Sequence, residues 1–166
     1  MKQVFIGLGS NIGNKHKHLH TAIGHIQAIP QTTLIAVSTF YVTPAWGNIH
    51  QEDFLNACVQ VQTLLTADTL MRYLLAIEEG MGRVRSEHKW QPRIIDLDIL
   101  DYNQEVICTD IVTTPHPYLD QRLFALLPLQ ELFPAYIHPV LRISIQEMIE
   151  NIKSNPSREA YNLTKS

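Results

Sequence analysis

RIIDLDILDYN, residues 93–103, reads as a strand with two faces of opposite character. Side chains alternate across a strand, so Ile95, Leu97 and Ile99 share one face while Asp96 and Asp98 share the other. Carboxylates at i and i+2 have Cα atoms about 6.5–7 Å apart, and their oxygens can converge on one cation. An unpaired carboxylate is costly enough to bury that it protonates instead, so this pair needs a positive partner. A structural ion pair with Arg93 is one solution. A magnesium ion is another, since it takes hard oxygen ligands, with one or two carboxylates and the phosphates of a substrate.

The elements around this strand set the architecture. Val4, Phe5, Ile6 and Leu8 make a short apolar strand ending at Gly9. Leu19, Ala22, Ile23, Ile26 and Ile29 recur at helical spacing, with Asn14 as N-cap and Pro30 as the stop. TTLIAVSTFYVT (32–43) is rich in β-branched and aromatic residues and predicts one long strand; FLNACVQVQTLL (54–65) alternates and predicts another. Leu70, Leu74, Ile77 and Met81 mark one face of a second helix, opened by Thr66 and closed near Gly80 and Gly82. After the Asp strand, a hairpin through Asn103-Gln104 leads into EVIC, and short helices follow near 121–133 and 143–151. The order β-α-β-β-α-β predicts an α+β, ferredoxin-like sandwich: an antiparallel-rich sheet with helices packed on it, plus short C-terminal helices. One domain spans 1–166, with a polar tail expected to fray from about 152.

Composition excludes several function classes. A net charge of −3 and a pI near 6.2 do not suit a nucleic-acid binder, which needs a basic surface. No apolar run approaches the roughly 20 residues of a membrane span, and MKQVFIGLG is too short for a signal sequence, so a cytoplasmic protein is expected. Cys58 and Cys108 lack the spacing of a zinc site or disulfide framework and are read as buried small hydrophobes.

Against that acidic balance, Arg83, Arg85, Lys89 and Arg93 crowd directly before the Asp strand. Like charges in one loop repel unless an anion sits among them. Carboxylates holding magnesium beside guanidinium groups that fork onto phosphate oxygens together describe a metal–triphosphate site. Trp90 in so polar a loop suggests a cover for a flat ring. Glu78 and Glu79 end the second helix, where the macrodipole disfavours negative charge. GLGSNIG (7–13) is not a dinucleotide fingerprint, because its third glycine arrives one residue late and no acid follows about 20 residues on. It reads better as a turn where backbone approaches a ligand. In KHKHLH (15–20), His16 and His20 share a helix face and His18 does not, so a solvent-facing helix start is favoured over a metal tract. His116, fixed between Pro115 and Pro117 and just upstream of Arg122, is either a phosphate donor or a turn residue.

These stretches resemble the 6-hydroxymethyl-7,8-dihydropterin pyrophosphokinase family of folate biosynthesis. GLGSNIG (7–13), YVTPAWG (41–47), QEDFLNACV (51–59), IEEGMGRVRSEHKWQPRIIDLDIL (77–100) and PHPYLDQRLFALLPLQELFP (115–134) run in the family's order. The resemblance implies a magnesium-dependent enzyme that moves the terminal pyrophosphate of ATP onto the pterin's hydroxymethyl group, leaving AMP. Position by position, Asp96 and Asp98 would hold two Mg2+ ions, and Arg83 and Arg93 would contact the transferring phosphates. Glu78, Arg85, Trp90, Ile99, Thr113, His116 and Arg122 fall on the ATP side. Phe54 and Phe124 would sandwich the pterin, with Asn56 bonding its edge, backbone near Thr43, Pro44 and Trp46 completing the slot, and Gly9 the close approach. Gln91, Ser86 and Pro117 depart from residues common in the family. The expected partners are ATP and 6-hydroxymethyl-7,8-dihydropterin, without nucleic acid or membrane. A monomer is expected, and association with other folate-pathway enzymes stays open. No general base stands out. A non-enzymatic ferredoxin-like binding module, or an enzyme that attacks another phosphorus, would share much of this pattern.

Overall fold

The computed structural model describes residues 1–44, 52–83, 93–155 and 164–166. Strand β1 (Lys2–Ser10) leads into helix α1 (Lys15–Gln27), whose first turn is capped as the sequence predicts: Asn14 Oδ1 accepts the Lys17 N–H at 3.1 Å. Strands β2 (Thr32–Val37), β3 (Tyr41–Thr43) and β4 (Phe54–Thr63) precede helix α2 (Ala67–Gly80), which Thr66 caps through the Thr69 N–H. Strand β5 (Asp96–Tyr102), the small pair β6 (Ile107–Cys108) and β7 (Thr113–Thr114), helices α3 (Leu123–Leu132) and α4 (Ile145–Lys153) and strand β8 (Thr164–Lys165) complete the described chain. The sheet runs β5-β1-β4-β3-β8, with β2 also on β4, and every pairing is antiparallel. With β2 and β3 counted as one interrupted strand, this is the βαββαβ sandwich the element order predicts.

Two cores lie on the two faces of that sheet. Val4, Ile6 and Leu8 of β1 pack with Ile95, Leu97 and Ile99 under α1 and α2. Phe5, Cys58 and Leu100 face the other way, against α3, α4 and the buried Tyr136. Strand β4 is buried continuously from Leu55 to Val59 because helices cover both its faces. Each fully buried Leu or Ile side chain contributes about 1.5–3 kcal/mol. No described helix is long and apolar enough to cross a membrane.

The structure corrects three sequence expectations. The long strand over 32–43 is broken at Ser38, whose hydroxyl accepts the Cys58 N–H at 2.9 Å where a strand would offer a carbonyl. The turn at Asn103-Gln104 is real, with both residues at positive φ (53° and 55°), but EVIC does not fold back on β5. Its Ile107 and Cys108 pair with Thr114 and Thr113 instead. Cys108 is exposed, since it faces outward from that two-residue strand; Cys58 is buried as expected. Helix α4 runs to Lys153, and β8 pairs with Tyr41 and Val42, where the Ser166 hydroxyl meets His16 Nε2 at 2.9 Å; residues 156–163 of the polar tail lie outside the described residues.

Candidate active site

The carboxylate pair occupies the first half of β5, opposite two glycines of β1: Asp96 lies across from Gly9 and Asp98 from Gly7. A side chain at Gly7 would crowd Leu100, its Cβ falling 3.2 Å from Leu100 Cδ2, so the small residue lets the sheet stay closed beside Asp98. As the alternation predicts, Asp96 and Asp98 point away from the core that takes Ile95, Leu97 and Ile99.

The two carboxylates have different surroundings. Each oxygen of Asp96 is held by one arginine, Oδ1 by Arg83 Nη1 at 2.9 Å and Oδ2 by Arg93 Nη1 at 3.0 Å. Arg83 Nη1 also donates to Glu78, which is only 2% exposed and accepts the Leu97 N–H at 3.0 Å. Glu78 therefore has structural partners at the end of α2 and is not a solvated helix end. Burial pushes its carboxyl up, against the pull of the Leu97 N–H and Arg83. Asp98 has no hydrogen bond or ion pair with a described residue. Burial, reinforced by the Asp96 charge, pushes its pKa up to about 6, while Arg122, Arg83 and Arg93 draw it back. A carboxylate so placed is a donor in search of a cation. Among the described residues no three His, Cys, Asp or Glu side chains are arranged to hold a metal ion by themselves. That donor set suits magnesium, which is held by one or two carboxylates plus phosphates and water, and does not suit a zinc cage.

Cations and a neutral donor surround the pair. The Arg122 guanidinium lies between two rings, 5.4 Å from the Tyr118 centroid and 5.7 Å from that of Phe124. His116 donates its backbone N–H to the Leu100 carbonyl at 2.9 Å, and its Nδ1 accepts the Tyr118 N–H at 3.2 Å. The ring proton is thereby assigned to Nε2. Burial and the Arg122 charge lower the His116 pKa to about 4, so the ring is a neutral donor at physiological pH.

A second cluster adjoins the glycine end of β1. Asn56 Nδ2 donates to Thr43 Oγ1 at 2.7 Å, with both side chains buried. A Cβ on Gly9 would fall 2.9 Å from Asn56 Oδ1 and 3.8 Å from Phe54 Cδ1, so Gly9, Asn56 and Phe54 share one slot wall. Phe54 and Phe124 are half-buried and Pro44 is exposed. Ile99 is buried in the first core, which leaves only its backbone for a ligand. Thr113 is exposed on β7, with its hydroxyl 4.0 Å from Cys108 Sγ. Arg85, Trp90 and Trp46, with Ser86, Lys89 and Gln91, lie outside the described residues. Sequence reasoning passed over Tyr118, which backs both His116 and Arg122, and Asn11, which bonds the backbone of Arg93. An asparagine just past a strand signals only a turn.

An acidic pair faced by arginines on a ferredoxin-like sheet is a layout that suits a polyphosphate, and the comparisons with known proteins agree on the family. The sequence model for 7,8-dihydro-6-hydroxymethylpterin-pyrophosphokinase (HPPK) matches residues 5–134. The chain is 42% identical over 134 residues to the 2-amino-4-hydroxy-6-hydroxymethyldihydropteridine pyrophosphokinase of Methylorubrum extorquens, covering 81% of this chain and 84% of that one. It is 37% identical over 147 residues to the Aquifex aeolicus protein of the same name, covering 89% and 90%. This chain belongs to the HPPK family. A Plasmodium falciparum HPPK-DHPS crystal structure superposes over 99% of the chain with a TM-score of 0.77 at 16% identity, which shows the shared fold. The chain spans about half of that longer protein, 48% of its length.

Proposed function

We propose that this chain transfers the terminal pyrophosphate of ATP to the hydroxymethyl oxygen of 6-hydroxymethyl-7,8-dihydropterin, giving AMP and the pterin diphosphate in folate biosynthesis. The observation that carries the reading is the junction of two clusters at Gly9: it pairs with Asp96 on one side and abuts Asn56 on the other. A phosphate-handling group and a slot for a flat polar ring thus share one strand end.

In the proposed step the hydroxymethyl oxygen attacks the β-phosphorus, the bond from that phosphorus to the α-phosphate oxygen breaks, and the hydroxyl proton leaves to solvent. Asp96 and Asp98 would hold magnesium, which supplies a Lewis acid that offsets the charge of the triphosphate. Arg83 and Arg93 each use one bond on Asp96, and their remaining N–H groups suit phosphate oxygens. Arg122 and the neutral Nε2–H of His116 stand on the same side as further donors. Fixed donors of this kind act in the transition state without reorganising. Asn56 would bond the edge of the pterin, with Phe54 and Phe124 stacking on its faces.

Phosphorus NMR of the products tests the reaction: AMP and a pterin diphosphate are expected, whereas ADP or free pyrophosphate would place the attack elsewhere. Gly9→Ala tests the slot. Its methyl must displace the Asn56 amide, so pterin affinity should fall by about tenfold to a hundredfold, the worth of one or two good hydrogen bonds. ATP affinity should hold in the same titration.

A further inference from the structure

We infer that Asn11 is a positioning residue for Arg93, fixing the backbone about which that arginine turns from the carboxylate pair to the phosphates. This rests on the reading of Arg93 given above. Asn11 is 1% exposed, yet it lies in the loop between β1 and α1 and not in either core. Both its backbone and its side chain engage Arg93. The Asn11 N–H donates to the Arg93 carbonyl at 3.1 Å, and Asn11 Oδ1 accepts the Arg93 N–H at 2.7 Å. These two bonds staple the chain just before β5 to the loop that continues β1. The β1–β5 ladder itself ends at Gly9 and Asp96, so it does not hold Arg93.

The geometry explains why such a staple is useful. The Arg93 guanidinium sits 3.0 Å from Asp96 Oδ2, an oxygen that a divalent ion would claim. Arg93 must then exchange a carboxylate for a phosphate oxygen. A long, rotamer-rich side chain makes that exchange reproducibly only when its Cα is fixed, since a misplacement of about 1 Å can cost a hundredfold in rate. The amide is well suited to the task. It accepts the Arg93 N–H without adding charge beside Asp96, and an aliphatic residue there would leave that N–H without its partner.

The test compares Asn11→Ala, Arg93→Ala and the double variant by steady-state kinetics, with thermal midpoints recorded. Asn11→Ala should lower kcat by about tenfold, the worth of one hydrogen bond to a reacting-centre arginine, with the pterin KM unchanged. Added to Arg93→Ala, it should cost nothing more. Asn11→Asp, which keeps an acceptor for the Arg93 N–H but adds the charge the amide avoids, should recover part of the loss. Wild-type kcat in Asn11→Ala, or the same further loss in the Arg93→Ala background, would overturn the assignment. Should the alanine variant fail to fold, Asn11→Ser, whose hydroxyl falls short of the Arg93 N–H, carries the same comparison. An Arg93→Ala protein with full turnover would instead sink the reading of Arg93 itself.

Discussion

Asp98→Asn should lower turnover by about three orders of magnitude while making the metal-free protein more stable at neutral pH. The loss follows from the chemistry assigned to the pair. A metal ion supplies several kcal/mol of charge stabilisation, and about 1.4 kcal/mol is a factor of ten in rate. The gain follows from the surroundings. Asp98 is a carboxylate with no described hydrogen-bond partner, and burial followed by the Asp96 charge raises its pKa to about 6. In the unfolded chain its pKa is about 3.9. The folded state therefore holds the Asp98 proton more tightly than the unfolded one does. The resulting penalty is absent below about pH 4, grows as the pH climbs, and is complete above about pH 6. An asparagine carries no such penalty. Thermal melts in metal-free buffer should show the variant ahead of the wild type at pH 7.5 and level with it near pH 4. Activity lost and stability gained together are the mark of a strained functional group. A variant that loses stability at neutral pH would make Asp98 a structural residue.

Glu78→Ala should lose stability as well as activity. Its carboxylate is buried where α2 ends and joins Arg83 to the Leu97 N–H at the head of β5. Truncation strands the Leu97 N–H and, among the described residues, leaves Arg83 with Asp96 as its carboxylate. Removing one partner of a buried pair costs about 3 kcal/mol, equivalent to about 6–12 °C in the melting midpoint of a domain this size. With Glu78 gone, the Arg83 guanidinium has no rival claim and closes on Asp96, so the magnesium requirement should rise with the fall in turnover. Glu78→Gln keeps an acceptor for the Leu97 N–H and removes a charge that burial disfavours, so at neutral pH it should match or exceed the wild type in stability. An unchanged melting midpoint in Glu78→Ala would mean that the end of α2 is held by other contacts.

How much of this was legible in the sequence depended on the range of the interactions involved. The alternation around Asp96 and Asp98 was legible because strand periodicity is local, and the core confirms it by taking Leu97 and Ile99 and leaving the two acids out. The caps at Asn14 and Thr66 were legible for the same reason, as one side chain bonds a backbone N–H three residues on. The break at Ser38 was not, because the hydroxyl does its work across the sheet, on the N–H of Cys58. The unfavourable macrodipole at the end of α2 marked Glu78 as unusual, but its bond to the Leu97 N–H, 19 residues away, was not legible. Asn11 likewise carries no sequence signal beyond a turn, since its partner Arg93 lies 82 residues away. The slot proposed for the pterin was suggested by family likeness alone, since Asn56 and Thr43 are two buried polar residues that no local sequence pattern marks out.

A crystal structure with Mg2+, a non-hydrolysable ATP analogue and the pterin would examine the carboxylate pair itself. Asp96 and Asp98 oxygens should lie about 2.1 Å from magnesium that also binds the triphosphate, with Arg83 and Arg93 moved from Asp96 onto phosphate oxygens. If nucleotide binds while Asp96 keeps both arginines and Asp98 touches no ion, the pair serves the fold and the proposed chemistry is wrong.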